Sequence, residues 1–408
     1  MSKFWDNIGD KFLSKIKEGN LEVKYSNGNI KKYGNNQGVN IKLTLNNSKL
    51  FKRILFYSDI GFCESYMDGD FECNNVTQLI QLALINSKLL ETKSEDIKKF
   101  SFSNIFPISN KIKHTLRKNS KTKSKKNISQ HYDLSNDFFK LMLDDTMMYS
   151  SAIFKDINTS LYEAQTNKIE TLAKKLNIKK GSHILEIGSG WGAMAIYLVK
   201  TYNCKVTTLT LSKEQKKLCE DRFKKEKVQD SIDVLLQDYR DTKGKFDAII
   251  SVEMFEAVGK QYFSAFFKKC QELLKKDALL VMQVITIPDQ RYKAYCKGTD
   301  FIQKYIFPGG HLPSLSKVLD VTTKKTNLNL LKMDDYTEHY AKTLNIWNTN
   351  FQNNLEKIKK LGFDEYFIRM WEMYLYYCEA GFLTRNINLV QVVFTKYENM
   401  SLNKGLIK

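Results

Sequence analysis

Between residues 161 and 287 the chain alternates between two hydrophobic periods, and that alternation restricts it to few architectures. Helical spacing over Leu161 to Leu176, Lys213 to Lys225 and Tyr262 to Leu274 is interleaved with strand-like runs. These fall at Ser182 to Ile187, Lys205 to Leu211, Ile232 to Gln237, Phe246 to Val252 and Ala278 to Ile287. Such alternation predicts an α/β fold with a largely parallel sheet and right-handed crossovers. In sheets of this kind ligands bind beyond the carboxyl ends of the strands.

One of those strand ends carries an unusual turn. The apolar run His183 to Ile187 contains Glu186, is followed by Gly188, Gly190 and Gly192 at alternate positions, and gives way to helical spacing from Ala193 to Val199. A dinucleotide loop asks for G-x-G-x-x-G and a phosphate loop for a Gly-Lys-Ser/Thr ending, and neither is present. E-x-G-x-G-x-G is the pattern of the S-adenosylmethionine (SAM) loop in Rossmann-like methyltransferases. A structural glycine turn or a site for another nucleotide are the competing readings.

The neighbouring strand ends are polar in a consistent way. Thr210, Leu211, Ser212 and Gln215 follow the second strand, where many SAM enzymes place an acid to hold the ribose. Thr210 and Gln215 can both donate and accept hydrogen bonds, and Ser212 also reads as a helix N-cap. Gln237 and Asp238 end the third strand, where adenine contacts are expected. Glu253 and Glu256 close the fourth, two carboxylates three residues apart; one orients a base or stabilises positive charge, or is only a cap or surface charge.

At 408 residues, two domains are expected. Phe4 to Ile16 has an amphipathic helical face, Leu21 to Tyr33 alternates about Asn27-Gly28 as a hairpin does, and Val39 to Leu45 reads as a strand. Phe51 to Phe56 suits a strand or a helix, and Val76 to Leu84 a helix. These predict a small N-terminal α/β domain over residues 1–110. A basic linker then spans 111–127, and the larger domain runs from 128 to 408. Seven scattered cysteines without a C-x-x-C pair and five dispersed histidines argue against a disulfide framework or a metal site.

The net charge of +19 implies an anionic partner. Lys111 to Lys126 holds eight Lys/Arg and no acid. That stretch reads either as a solvated lysine-rich loop or as a patch for anionic lipid headgroups. No RNA-binding module is visible, so a nucleic-acid partner is not expected. No run of roughly 18 apolar residues and no signal-peptide pattern are present, which predicts a cytoplasmic protein, peripherally associated with the membrane.

Taken together, the motifs resemble the cyclopropane-fatty-acyl-phospholipid synthase family, which includes the mycolic acid cyclopropane synthases. The resemblance rests on the H-Y-D-L-x-N-D-F-F block from His131, the M-x-Y-S-S block from Met147, the glycine turn, Leu211 to Gln215, Leu236 to Asp241 and Met254-Phe255-Glu256. It continues through Lys304 to Gly309, His339-Tyr340 with Thr343-Leu344, and Tyr376 to Phe382. Glu64 to Gly69 is similar to a G-E-x-Y-M-D-G segment of the family's smaller N-terminal domain.

The resemblance implies a Rossmann-like SAM-dependent methyltransferase acting on the cis double bond of an unsaturated phospholipid acyl chain in a membrane. Cyclopropane formation is the leading outcome; methyl- or methylene-branched products, or N-methylation of a small molecule, are the alternatives. The implied SAM contacts are Tyr149, Ser150, Glu186, Gly188, Gly190, Gly192, Thr210, Leu211, Gln215, Gln237 and Asp238. The family holds a bicarbonate ion as base through a Cys, a Glu, a His and a Tyr. Here Glu256 and Tyr340 match, while Ser151 stands at the Cys position and Gln283 at the His position. Cys378 matches a cysteine treated as an active-site residue in the family, although as a residue it reads equally well as core. A homodimer is compatible with the resemblance.

Overall fold

The computed structural model describes residues 2–93 and 135–403. Both Lys111 to Lys126 and the start of the block at His131 lie outside the described residues. Contacts divide the chain into two compact units, and the division is not the continuous one expected at residue 110. The first unit joins residues 2–93 to Lys293–Pro308 and Trp347–Asn386; the second contains the rest of the described chain.

In the first unit, helix α1 (Ser2–Leu13) precedes a four-stranded sheet of β1 (Asn20–Lys24), β2 (Ile30–Gly34), β3 (Asn40–Leu45) and β4 (Phe71–Cys73), in the order β2-β1-β3-β4. The expected hairpin is present: β1 and β2 pair antiparallel, Leu21 opposite Tyr33, across the Asn27-Gly28 turn. The ambiguous run at Phe51 is helical, within α2 (Lys49–Met67), which is interrupted at Ser58 by a φ of 55°. Helix α3 (Val76–Lys93) follows.

Two later segments join this unit because their polar groups complete its hydrogen bonds. Glu64 accepts from Lys304 Nζ at 2.5 Å and Tyr305 OH at 2.6 Å, and Tyr66 OH donates to Glu372 at 2.8 Å. Thr77 Oγ1 donates to Glu379 at 2.9 Å. Three separated sequence blocks, at Glu64, Lys304 and Tyr376, therefore belong to one unit.

The second unit is built on a seven-stranded sheet. Its parallel part is β5 (His183–Ile187), β6 (Lys205–Thr210), β7 (Ile232–Leu236), β8 (Phe246–Val252) and β9 (Leu274–Thr286). Two strands not foreseen from the sequence, β10 (Leu328–Asp335) and β11 (Asn388–Lys396), extend it antiparallel, giving the order β10-β11-β9-β8-β5-β6-β7. Order reverses beside β5, and that switch point is where a crevice opens in doubly wound sheets.

Helices cover both faces of this sheet. Helix α4 (Asn136–Met142) leads to α5 (Leu161–Lys175), whose N-terminus is closed by a capping box between Ser160 and Glu163. Then come α6 (Ala193–Tyr202), α7 (Lys213–Lys225) and α8 (Phe263–Leu273). One face packs Ile184, Val206, Ala248 and Val281 against α5, α6 and α7; the other packs Leu185, Ile249, Leu280 and Phe394 against α8. Period-two alternation thus feeds two apolar layers, as a sheet buried on both sides requires. Helix α9 (Asp289–Tyr295), α10 (Leu315–Lys325), α11 (Thr337–Asn353), α12 (Leu355–Lys360) and α13 (Glu365–Leu383) complete the chain. Among the described residues no helix is long and apolar enough to cross a membrane.

Candidate active site

The glycine turn sits at the end of β5, as the sequence predicts, and its geometry demands glycine. Gly188, Gly190 and Gly192 have φ of 100°, 49° and 87°, the left-handed range that side chains disfavour. A Cβ at Gly192 would lie 2.6 Å from Phe223 Cε1, and one at Gly188 would lie 3.2 Å from Met254 Cβ. A Cβ at Gly190 would meet nothing within 4 Å. Glycine is therefore needed for packing at two positions, while at the third the backbone faces open space where a ligand can approach. The backbone N–H groups of Gly188 and Ser189 donate to Leu209 O at 3.1 and 2.8 Å, which ties the turn to β6.

Around this turn the expected polar groups assemble. Glu186 accepts from Thr208 Oγ1 at 2.6 Å, and burial pushes its carboxyl up to about 8. Thr210 Oγ1 donates to Gln215 Oε1 at 2.7 Å, and Ser212 caps α7 through Gln215 N, as its N-cap reading expects. Gln237 N donates to Thr210 O at 3.0 Å, which brings the ends of β6 and β7 together. Asp238 accepts from Arg240 N at 2.9 Å and Nε at 2.8 Å, and from Nη2 at 2.6 Å. Its side chain is thus engaged with Arg240.

The segment at Met147 lies against the same edge. The ring of Phe139 is 5.2 Å from Tyr149 and 5.0 Å from Trp191, between centroids. Lys168, fully buried on α5, donates to Ser150 Oγ at 2.6 Å, and burial pulls its ammonium down to about 8 against the charges of Glu253, Asp144 and Glu186. Gln165 Nε2 donates to Ser150 O at 2.8 Å. These contacts fix the backbone that leads into Ser151.

Beyond β8 stands a residue whose role the sequence left open. Glu253 has a φ of 50°. Its Oε1 accepts from Ser151 N at 2.9 Å and Gln283 Nε2 at 2.7 Å, and its Oε2 accepts from Tyr340 OH at 2.6 Å. Three of the four groups expected to surround a bicarbonate therefore converge on Glu253. The fourth, Glu256, faces elsewhere: its Oε1 accepts from Ile285 N at 2.5 Å, and its buried Oε2 lacks a protein partner. The signal available in the sequence was the pair of acids; only the turn geometry says which of them enters the cluster.

The two acids are electrostatically coupled. Burial raises the Glu253 carboxyl, while the Tyr340 and Gln283 bonds, the Ser151 N–H and the Lys168 charge pull it back. Burial and then the negative charge of Glu253 push Glu256 up to about 8, against the backbone N–H groups of Ile285 and of Glu256 itself. Of the two, Glu253 has more donors opposing the effect of burial, and Glu256 is the acid whose proton is held to about 8.

Two further candidate groups fare differently. Ser151 contributes its backbone N–H to Glu253, and its hydroxyl donates to Ala152 O at 3.0 Å. Cys378 is on α13, in the first unit, and burial raises its thiol well above the ordinary value. A thiol held neutral in this way is a poor nucleophile or base. Among the described residues no cluster of His, Cys, Asp and Glu suits a metal ion.

The groups at this edge suit one of the two small molecules that the motifs suggest and not the other. The open face at Gly190, with Thr210, Gln215 and Gln237 at adjoining strand ends, fits SAM. Bicarbonate does not fit, because Ser151 N, Gln283 and Tyr340 already donate to the Glu253 carboxylate.

Comparison with known proteins agrees with this geometry. A family model described as mycolic acid cyclopropane synthetase matches residues 119–392, and one for a domain of unknown function matches residues 8–95. The chain is 36% identical over 349 residues to the tuberculostearic acid methyltransferase UfaA1 of Mycobacterium tuberculosis, covering 84% of this chain and 80% of the relative. It is 33% identical over 356 residues to the cyclopropane-fatty-acyl-phospholipid synthase of Escherichia coli, covering 87% of each. Among solved structures, mycolic acid cyclopropane synthase CmaA1 complexed with SAH and CTAB superposes with a TM-score of 0.63 and 32% identity, covering 67% of this chain and 98% of that one. The chain belongs to the mycolic acid cyclopropane synthetase family and is a SAM-dependent methyltransferase.

Proposed function

We propose that the protein methylates the cis double bond of unsaturated phospholipid acyl chains and that the product closes to a cyclopropane. SAM held at the glycine turn supplies an electrophilic methyl group. The side chains suited to hold it are Tyr149, Ser150, Thr210, Gln215, Gln237 and Asp238, with the backbone of Gly188 to Gly192. The observation that carries the reading is the buried acid pair, Glu253 with Glu256, beside that turn. An amine acceptor brings its own lone pair and needs little from the site. An alkene that gains a methyl group becomes a carbocation, and completing the reaction requires proton removal where water is excluded. The carboxylate of Glu253, held by three donors, also places negative charge where positive charge develops.

The names of the two relatives above support a lipid acceptor. One of them, a tuberculostearic acid methyltransferase, is the reason to keep a second product in view: a methylene-branched chain, formed when a hydride shifts to the cation before a methyl proton leaves. The basic stretch Lys111 to Lys126 is suited to anionic headgroups, at roughly 1 kcal/mol per residue near such a surface.

Purified protein incubated with labelled SAM and vesicles of anionic, monounsaturated phospholipid should incorporate methyl carbon into acyl chains. Fragmentation of the products, combined with resistance to hydrogenation, separates ring from methylene. Absence of label in lipid from vesicles of every unsaturated acyl composition would sink the reading. Vesicle association should weaken as salt rises through the range where the Debye length shortens from about 10 to 3 Å.

A further inference from the structure

We propose that Glu253 is the catalytic base of this enzyme, a carboxylate built into the chain that makes external bicarbonate unnecessary. This rests on the lipid C-methylation reading above and adds the identity of the proton acceptor.

Position is the first support. Glu253 directly follows β8 and precedes Met254, whose Cβ lies 3.2 Å from where a Cβ on Gly188 would stand. The carboxylate and the glycine turn are thus parts of one strand-end assembly, on the edge where an α/β sheet binds its ligands.

Preorganisation is the second. The backbone of Glu253 is held in the left-handed region by a bond from its own N–H to Gln283 O at 2.8 Å. A non-glycine residue there costs on the order of 1 kcal/mol or more, and such strain concentrates at functional sites. The side chain is fixed by three donors from three separate segments: Ser151 N before α5, Gln283 on β9 and Tyr340 on α11. A purely structural acid would need no such convergence.

Charge state is the third. Burial raises the Glu253 carboxyl, and its three donors pull it back toward the ionised form, while Glu256 beside it is pushed up to about 8. Lys168 supplies a compensating positive charge from beneath Ser150.

The step balances without another reactant. A C–H bond of the newly attached methyl group breaks, its electron pair forms the third C–C bond of the ring at the cationic carbon, and the proton forms an O–H bond on Glu253. Deprotonation to solvent then restores the carboxylate for the next cycle.

The test compares wild type with Glu253→Gln and Glu253→Gly, using full-length protein, SAM and monounsaturated phospholipid vesicles in buffer stripped of carbon dioxide. Wild-type turnover should be unchanged, within about twofold, when bicarbonate is added. Glu253→Gln should lose on the order of 100-fold or more in kcat, the usual scale for removing a general base, while SAM affinity by calorimetry stays within a few-fold. Glu253→Gly vacates the carboxylate position but leaves its three donors, so formate or bicarbonate should raise its thermal midpoint and restore part of its activity.

Wild-type activity that depends on bicarbonate, or a Glu253→Gln enzyme that retains near-full turnover, overturns the proposal. So does equal thermal stabilisation of wild type and Glu253→Gly by these anions. That binding readout needs no lipid turnover: if no lipid is methylated but the anions stabilise only Glu253→Gly, the lipid reading fails and the carboxylate position stands. Should Glu253→Gly fail to fold, the bicarbonate response of wild type and the Glu253→Gln rate still decide the matter.

Discussion

Lys175 Nζ donates to Gln391 Oε1 at 2.5 Å, and that contact fixes the direction of two glutamine amides. Lysine has only donors, so Gln391 must present its oxygen to Lys175 and its nitrogen to the next residue. Gln391 Nε2 donates to Gln283 Oε1 at 2.8 Å, which leaves Gln283 Nε2 to donate to Glu253. Asp334 pairs with Lys175 at 2.6 Å and keeps it in place. A charge on α5 thus sets the hydrogen-bond polarity at the acid three residues further along the chain of contacts.

Replacing Lys175 with Met removes the group that sets this direction. Both amides become free to reverse, and Glu253 then faces an amide oxygen in part of the population. A lost hydrogen bond to a charged group is worth about 1.5 to 3 kcal/mol, so kcat should fall by roughly 10- to 100-fold. SAM affinity, measured by calorimetry, should be unaffected. Gln283→Glu should be at least as damaging, since it opposes two acids.

Tyr340→Phe tests the charge state of Glu253. The phenol donates to Oε2 and favours the ionised form. Without it the folded-state carboxyl titrates at higher pH, and a base must be deprotonated to act. The acid limb of the kcat profile should therefore move to higher pH, with activity partly recovered in alkaline buffer. A uniform loss across pH would indicate that Tyr340 acts only by packing.

Glu256 makes a statement about stability. Its carboxyl is raised from 4.5 to about 8 in the folded protein, so folding binds its proton more tightly. That contribution is fully present below 4.5 and is lost as pH rises through about 8. Glu256→Gln has no such dependence. Between pH 5 and pH 9 the unfolding free energy of the variant, read from denaturant curves, should rise relative to wild type by on the order of a few kcal/mol at 1.36 kcal/mol per unit.

Gly192 and Gly190 of the turn should respond differently to alanine. Gly192→Ala drives a methyl group into Phe223 and should lower the melting temperature by several degrees, with SAM binding lost as a consequence. Gly190→Ala meets no protein atom, so stability should change little beyond its backbone cost of about 1 kcal/mol, while SAM affinity drops. Thermal melts with and without SAM separate the two effects.

The parallel strands and the glycine turn were legible because period-two and helical patterns are local, and their boundaries agree with the structure to within a few residues at β5, β6, β7 and β8. The strands β10 and β11 were not. They pair antiparallel at the edge of the sheet, and β10 carries exposed Leu331 and Met333 that blur its alternation. The assignment of 293–308 and 347–386 to the N-terminal unit was equally invisible, since it depends on bonds such as Tyr305 to Glu64 that span some 240 residues. Within the site, the grouping of Ser151, Gln283 and Tyr340 was legible from the family resemblance. The group they surround was not, because a left-handed residue at 253 leaves no mark on hydrophobic spacing.

That left-handed residue has a consequence for how such enzymes can change. A backbone at φ 50° suits glycine better than glutamate, and the codons of the two amino acids differ by a single base. One nucleotide substitution can therefore install or remove a tethered acid without remodelling the turn that carries it. A lineage holding glutamate here draws its base from its own sequence, and its lipid chemistry is insulated from the supply of dissolved carbon dioxide in the cell.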